Sequence, residues 1–189
     1  MADPTTLRRS PLAHLPASTG TDRVRLAELA FRAMVSVRLD PRSAAASAVE
    51  QALGAPLPRA CGQVSEHGKH RILVLGPDEW LVVSDAEPGT VVEAVSGAVG
   101  DAHAAVVDVS ASRTILELAG SSARAVLEKG CPVDLHPRAF RPGMAVTTTL
   151  ARVPLILWQV RPDAYRLLPR SSFADYVARW LVDAMQEFA

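Results

Sequence analysis

The residues best suited to chemistry lie in a short polar sequence that ends an apolar stretch. Asp108 and Ser110, in V-V-D-V-S, would form a base and a nucleophile if His103 or His136 lay beside them. The chain lacks the G-x-S-x-G sequence that places a nucleophilic serine on a sharp turn. Because Asp and Ser at strand ends commonly bond to nearby backbone groups, we expect both residues to brace the turn before Arg113.

A second group of residues could bind a metal. His67 and His70 are three residues apart, and Glu66 precedes them. Gly68 and the flanking strand patterns indicate a hairpin turn, and two histidines without a third ligand rarely form a metal site. We therefore expect no metal to bind here.

A cysteine near a lysine is the remaining candidate nucleophile. Lys129 lies two residues before Cys131 and could favour its thiolate, but a helix end followed by Pro132 favours a buried turn residue. Cys61 is 70 positions away, so the chain has no C-x-x-C metal or redox pair. This cysteine usage indicates a reducing compartment.

The composition excludes several classes of function. Twenty Lys and Arg balance twenty Asp and Glu among 189 residues, so the chain lacks the net charge used to bind nucleic acid or anionic lipid. The glycine-rich nucleotide motifs G-x-G-x-x-G and G-x-x-x-x-G-K-[ST] are absent. No apolar run has the length of a signal-peptide core or a membrane span. We expect a cytoplasmic protein that contacts neither nucleic acid nor membrane.

Periodic patterns predict regular elements over most of the chain after residue 22. Alternating apolar residues predict strands at 24–29, 33–39, 60–66, 70–75, 79–83, 104–109, 113–118, 145–152, 153–160 and 164–169. Helical spacing and stop signals predict a first helix that opens at Asp40-Pro41 and runs to 53, helices at 88–98 and 121–129, and a last helix that Ser171 or Ser172 caps and that runs to 188. We expect Asp40 to cap the first helix, because Pro41 fits a first helical turn.

The order of these elements repeats, which indicates an internal duplication. Matching segments in the two halves are 24–26 with 105–107 (a shift of 81), 54–57 with 130–133 (76) and 77–81 with 162–166 (85). The matches keep the same order along the chain. They predict an α+β domain over residues 23–189, built from pseudo-symmetric halves at about 24–100 and 101–189 that share a core.

Six motifs between residues 9 and 181 resemble the sequences of one family. They are R-S-P-L at 9–12, L-A-E-L-A-F-R-A-M-V-S-V-R-L-D at 26–40, L-G-P-D-E-W-L at 75–81, V-D-V-S-A-S-R-T at 107–114, K-G-C-P-V-D-L-H-P-R-A-F at 129–140 and R-S-S-F-A-D-Y-V-A-R-W-L at 170–181. The chain resembles the gamma subunit of heterotetrameric sarcosine oxidase over residues 8–189.

That family is similar to the folate-binding domains of glycine-cleavage aminomethyltransferases, which implies their fold. The D-x-S and G-x-x-A hallmarks match 108–110 and 120–123. The later G-G-x-x-D-D hallmark is replaced at 152–158 by R-V-P-L-I-L-W, which offers no carboxylate as a general base. The alternative is a stand-alone folate-dependent aminomethyl or formyl transferase that uses Asp108 or Asp163 as its base.

The resemblance implies a non-catalytic subunit with a structural role in a complex of alpha, beta, gamma and delta chains. This complex is an oxidoreductase that converts sarcosine, oxygen and tetrahydrofolate to glycine, hydrogen peroxide and 5,10-methylenetetrahydrofolate. The resemblance places FAD, FMN and NAD on the larger subunits and zinc on the small one. We therefore expect no catalytic, cofactor-binding or metal-binding residue on this chain, which should be inactive alone.

Residues 1–22 are expected to form an irregular arm that packs on a partner subunit. Its three prolines oppose a continuous helix, and its leucines are too few to bury it on its own domain. Arginines beside apolar residues suit an extended segment lying across another chain. The candidate partner contacts are Arg8, Arg9, Pro11 and Leu12 of the arm, and Trp180 on the apolar face of the last helix.

Overall fold

The computed structural model describes residues 8–188, which form two antiparallel sheets flanked by helices. The strands are β1 Ser18–Gly20, β2 Arg25–Glu28, β3 Ala33–Leu39, β4 Val64–His67, β5 His70–Gly76, β6 Glu79–Ser84, β7 Ala104–Asp108, β8 Leu116–Ala119, β9 Met144–Leu150, β10 Val153–Arg161 and β11 Ala164–Pro169. The helices are α1 Ala44–Leu53, α2 Pro88–Val99, α3 Ala123–Glu128 and α4 Ala174–Met185, the last between 3₁₀ turns at Ser171–Phe173 and Gln186–Phe188. None of the helices in the described range is long and apolar enough to cross a membrane.

Side chains along each strand point alternately to the two faces of the sheet, and both faces are buried. The chain therefore forms four layers, in the order helices, sheet, sheet and helices. In β6, Trp80 and Val82 pack against α1 and α2, whereas Leu81 and Val83 lie between the two sheets. Trp158 of β10 meets Leu81 and Val83 in that central layer and is fully buried. A third buried cluster joins the outer face of the other sheet to α3 and α4.

The two sheets share one strand order, which confirms the predicted α+β class with pseudo-symmetric halves. One sheet has the order β4-β5-β6-β3-β7, and the other has β9-β10-β11-β8-β2, extended by β1. The β5–β6 hairpin is irregular between Val74 and Gly76, and the β10–β11 hairpin between Gln159 and Arg161. The two irregular positions are 85 residues apart in the sequence. The same shift of 85 relates residues 77–81 to residues 162–166.

The two halves are contiguous in sequence but interleaved in space. Strand β2 pairs with β8 of the second half, and β7 pairs with β3 of the first half. Each half therefore contributes its first strand to the sheet of the other half. Because each exchanged strand supplies one row of backbone hydrogen bonds to the other sheet, neither half has a complete sheet of its own.

Two predicted helix caps are wrong, because the side chains make other hydrogen bonds. Asp40 accepts a bond from the backbone N–H of Arg42, while the Ser43 side chain caps α1 through Ala46. Ser171 donates its hydroxyl to the Ala111 carbonyl. The α-helical part of the last helix therefore begins only at Ala174, without a side-chain cap.

Two predicted strands start later than expected. The strand predicted at 60–66 begins at Val64, because a turn precedes it and Gly62 has a φ of 81°. The strand predicted at 113–118 begins at Leu116, and Arg113 instead forms an isolated bridge with Arg170.

The N-terminal segment from residue 8 packs on its own domain, although its composition predicted too few leucines to bury it there. Residues 18–20 form β1, which pairs with β2 at the edge of the sheet. Leu12 is only 5% exposed and belongs to the core cluster beneath α4, against which Leu15 also packs. A free sheet edge and a gap beside α4 provide the burial that composition alone did not reveal. Residues 1–7 lie outside the described range.

Candidate functional site

Asp108 and Ser110 brace a turn, as the sequence analysis favoured. The Ser110 hydroxyl donates to Asp108 Oδ1 at 2.5 Å and accepts from the Met34 backbone N–H at 2.9 Å. Asp108 Oδ1 also accepts from the Ser110 backbone N–H at 2.9 Å. No imidazole is hydrogen-bonded to Ser110 within residues 8–188, so the serine–histidine pair considered from the sequence does not form.

The histidines do not assemble a metal site. His67 and His70 face each other at the end of the β4–β5 hairpin, around Gly68 with a φ of 53°. Across the described residues, no three His, Cys, Asp or Glu side chains lie close enough together to hold a metal ion. Burial is the largest cause of a lowered pKa at His70, with Arg71, Lys69 and His67 lowering it further.

The lysine near Cys131 is bound elsewhere. Lys129 Nζ lies 2.6 Å from Glu187 and donates to the Ala184 carbonyl at 2.7 Å. Cys131 is partly buried against the core where the chain leaves α3. Cys131 directly follows the turn that ends α3 and is half-buried, where the sequence predicted a buried turn residue.

The segment that replaces the folate carboxylates is part of the core. Leu155 and Leu157 pack beneath α3 and α4, and Ile156 and Trp158 fill the layer between the sheets. Each is at most 1% exposed. The residues present do not fit a reactive folate site, because residues 152–158 include no acidic side chain and bulky apolar groups occupy the position.

The two proposed transferase bases lie at exposed positions, outside five well-formed cavities of the described structure. Asp108 and Asp163 are both exposed, the first at the end of β7 and the second in the β10–β11 turn. Neither is among the residues that line these five cavities. The geometry therefore does not favour the transferase alternative.

A mostly apolar groove of about 490 Å³, here called the arm groove, runs between the N-terminal segment, β2 and α4. Its lining residues are Leu12, Leu15, Pro16, Ala17, Thr19, Leu26, Ala27, Glu28, Leu116, Ala178, Arg179, Val182, Asp183 and Gln186. One wall is the N-terminal segment itself. The groove is therefore formed only where this segment packs beside α4.

An exposed ion-pair cluster ties the N-terminal segment to α4. His14 Nε2 lies 2.6 Å from Asp175 Oδ1, and Arg179 Nε donates to Asp175 Oδ2 at 2.9 Å. The hydrogen bond from Arg179, followed by that from His14, lowers the pKa of Asp175. The cluster holds the segment in register with the first turns of α4.

A second cavity of about 210 Å³, here called the arginine cleft, lies on the other side of the N-terminal segment. It is lined by Arg8, Arg9, Ser10, Pro11, Glu28, Ala30, Phe31, Ser110, Ala111, Arg113, Thr114 and Ser171. Glu28, the carboxylate among them, accepts hydrogen bonds from the Ser10 and Thr114 hydroxyls. It forms no ion pair with an arginine of the described chain.

The rim of the arginine cleft carries an exposed aromatic residue in a strained conformation. Phe31 has a φ of 62°, which is unfavourable for a bulky side chain, and half of its surface is exposed. The Arg8 guanidinium lies 4.8 Å from the centre of its ring. Strain and apolar exposure together mark this turn as a candidate contact surface.

Arg113 is the half-buried cation of the cleft. Its Nη1 donates to the Leu168 carbonyl at 2.9 Å. Burial, together with the nearby Arg170, lowers the pKa of Arg113. An anion that approaches from solvent can form charge-assisted hydrogen bonds with a guanidinium in this position.

The structure separates the five predicted partner contacts into three places. Arg8, Arg9 and Pro11 line the arginine cleft. Leu12 is buried in the core beside the arm groove, so its main contacts are within this chain. Trp180 is partly buried, and its ring lies against Gly130 on a different side of α4.

Sequence reasoning did not identify Phe31 or Arg113 as site residues. Both lie within motifs quoted for the family resemblance. Nothing in the local pattern indicates that the turn after β2 and the start of β8 meet at one cleft. A positive φ at a phenylalanine also has no sequence signal.

The chain is similar to proteins of one family along its whole length. Residues 38–187 match the model of the family described as "Sarcosine oxidase, gamma subunit family". The chain is 41% identical over 196 residues to the sarcosine oxidase subunit gamma of Corynebacterium sp. (strain U-96), with 100% of this chain and 95% of the relative covered. It is 42% identical over 194 residues to the corresponding subunit of Arthrobacter sp., with the same coverage.

Solved structures show the same relationship and a more distant one. A chain of the heterotetrameric sarcosine oxidase from Corynebacterium sp. U-96, in complex with pyrrole 2-carboxylate, matches with a TM-score of 0.90 and 41% identity, covering 96% of both chains. The glycine cleavage system aminomethyltransferase T from Bartonella henselae matches with a TM-score of 0.59 and 13% identity, covering 83% of this chain and 45% of that protein. The second match shows a shared fold alone.

Proposed function

The chain belongs to the sarcosine oxidase gamma subunit family, and from this membership we propose that it is the non-catalytic assembly subunit of a heterotetrameric sarcosine oxidase. The observation that carries the proposal is the full-length match, in sequence and in structure, to a chain of such a heterotetramer. Its partners are the alpha, beta and delta subunits. The complete assembly oxidises sarcosine to glycine, reduces oxygen to hydrogen peroxide and transfers the one-carbon unit to tetrahydrofolate.

The non-catalytic role is supported by how the candidate chemical groups are used. The Ser110 hydroxyl supports a turn, and Lys129 is paired with Glu187 rather than with Cys131. In place of the carboxylates of the folate enzymes, this chain has buried apolar residues of β10. In this proposal FAD, FMN, NAD and zinc are held by other subunits.

The contribution of this chain is to present a rigid surface to its partners. Arg8, Arg9 and Pro11 remain candidate contacts because they line an open cleft beside the exposed Phe31. The outer part of Trp180 is a candidate contact on another side of α4. Leu12 acts indirectly, since its burial holds the N-terminal segment beside both cavities.

We place the protein in the cytoplasm. The cysteines of the described chain, Cys61 and Cys131, are both free. Free thiols are stable in a reducing compartment, whereas secreted chains usually pair them.

The proposal is tested with the isolated chain and with the co-expressed complex. The purified chain should lack flavin absorbance and should form no peroxide from sarcosine. It should co-purify with a tagged alpha subunit when all four chains are expressed together. Flavin that remains through gel filtration, turnover by the chain alone, or absence from the purified complex would each contradict the proposal.

Tetrahydrofolate binding distinguishes the transferase alternative. Equilibrium binding to the isolated chain at micromolar concentration, with turnover that is lost in Asp108→Asn or Asp163→Asn, is the result that alternative requires. We expect neither binding in that range nor turnover.

A further inference from the structure

The duplicated halves differ at one pair of facing residues. In the first half, Arg32 and Asp85 lie one position beyond the Ala33–Ser84 pair of β3 and β6, and they form an ion pair. A shift of 81 places Arg32 on Arg113, and a shift of 85 places Asp85 on Arg170. The second half therefore has two arginines where the first half has an arginine and a carboxylate.

The strand register confirms that these pairs are equivalent. Arg113 and Arg170 form an antiparallel bridge that continues the β8–β11 register, in which Leu116 pairs with Leu167. The same two shifts relate the β3–β6 register to this one. The replacement of Asp85 by Arg170 is thus a difference at one structural position.

The carboxylate in the first half has a clear electrostatic role. Asp85 contacts two guanidinium groups, those of Arg32 and Arg71, the second at 2.9 Å. Without such an acid, the second half places Arg113 beside Arg170, and this proximity helps to lower the pKa of Arg113. Arg113 is half-buried and Arg170 is exposed, so their like charges repel each other across partly screening solvent and cost the free chain some stability.

The surroundings of Arg113 add further positive charge. Arg8 and Arg9 line the same cleft, and neither pairs with a carboxylate of residues 8–188. Glu28 accepts from the Ser10 and Thr114 hydroxyls instead. Within the described chain the cleft therefore carries three guanidinium groups and one carboxylate, and this carboxylate forms no ion pair with an arginine.

We propose that the arginine cleft binds an aspartate or glutamate side chain of a partner subunit, which pairs with Arg113 as Asp85 pairs with Arg32 in the first half. Guanidinium groups bind carboxylates through paired, charge-assisted hydrogen bonds. Phe31 and Pro11 at the rim supply the apolar surface that commonly surrounds an arginine at the centre of a protein interface. The inference rests on the proposed function, because the acid comes from a chain of the same complex.

The test supplies the missing acid within the chain itself. Arg170→Asp recreates the Arg32–Asp85 pair at the equivalent position and should satisfy Arg113 without a partner. Arg113→Gln removes the central guanidinium. Arg161→Asp is the matched control, since Arg161 is an exposed arginine without an ion pair in the described chain and the charge change is the same.

Each variant is co-expressed with the alpha, beta and delta subunits, and the amount of gamma chain retained per tagged alpha chain is measured at increasing sodium chloride. We expect about tenfold lower retention for Arg170→Asp and Arg113→Gln, with a weaker salt dependence, and parental retention for Arg161→Asp. The melting temperature of isolated Arg170→Asp should equal or exceed that of the parent. This combination separates a partner contact from a merely structural role, which would leave retention unchanged.

Parental retention and salt dependence in Arg170→Asp would overturn the inference and leave the proposed function in place. Failure of the parental chain itself to co-purify would overturn the proposed function and this inference with it. Equal loss of retention in Arg161→Asp would show a nonspecific effect of charge and would also overturn the inference.

Discussion

The ring of Trp180 lies so close to Gly130 that a β-carbon on the glycine would be 2.6 Å from ring atom Cζ2. The same β-carbon would be 3.3 Å from the backbone nitrogen of Ala151. Gly130 ends the turn after α3, and Trp180 lies in the middle of α4. The missing side chain of one residue therefore allows the two helices to pack together.

Gly130→Ala is expected to lower the free energy of unfolding by about 1–3 kcal/mol, because the added methyl group overlaps the indole ring. Chemical denaturation of the isolated chain measures the loss. Gly97→Ala in α2 is the control, since a β-carbon there has no neighbour within 4 Å and should leave stability equal or higher. Trp180→Phe should partly rescue Gly130→Ala, and strictly additive losses would contradict the contact.

Ser110→Ala is expected to cost about 1–3 kcal/mol of stability, because the buried N–H of Met34 loses its acceptor. Turnover of the assembled oxidase should not change. Ser112→Ala, at a neighbouring exposed serine, is the control and should change stability by less than about 0.5 kcal/mol. Lost turnover in an intact complex would restore a chemical role for Ser110.

The melting temperature is expected to fall as the pH decreases through about 6.5, the usual pKa of histidine. The pKa of His70 is lowered in the folded chain, so the unfolded chain takes up its proton at a higher pH. Acid therefore favours unfolding in this range, and the melting temperature stops falling below the pKa of His70 in the folded chain. His70→Gln should flatten this part of the profile, whereas exposed His103→Gln should retain it. An unaltered profile for His70→Gln would assign the pH dependence to other groups.

Leu12→Ala is expected to destabilise the isolated chain by about 2–5 kcal/mol, since Leu12 is a buried core residue. Arg9→Ala, at an exposed neighbour, should have almost no effect on stability. Chemical denaturation of both isolated variants distinguishes an N-terminal segment that is packed in the free chain from an arm that orders only in the complex. Parental stability of Leu12→Ala would support the latter.

Local periodicity was sufficient to predict most elements of the chain. The prediction for Ala33–Leu39 matches the structure at both ends, and the first helix ends at Leu53 as predicted. Alternation in a strand and stop signals in a helix are properties of neighbouring residues, so they are visible without the fold. The repeated order of elements likewise indicated the duplication, and the motifs indicated the family.

Only the tertiary structure decided how the halves combine and where the cleft lies. The exchange of β2 and β7, the burial of Leu12 and the meeting of Arg113 with Arg170 all join residues that are far apart in sequence. Such pairings depend on which strand edges and apolar faces remain free after the local elements have formed. The periods of two residues in a strand and 3.6 residues in a helix do not indicate which elements pair. The sequence by itself therefore determined the elements, the repeat and the family. The interleaved sheets determined which charges meet at the surface.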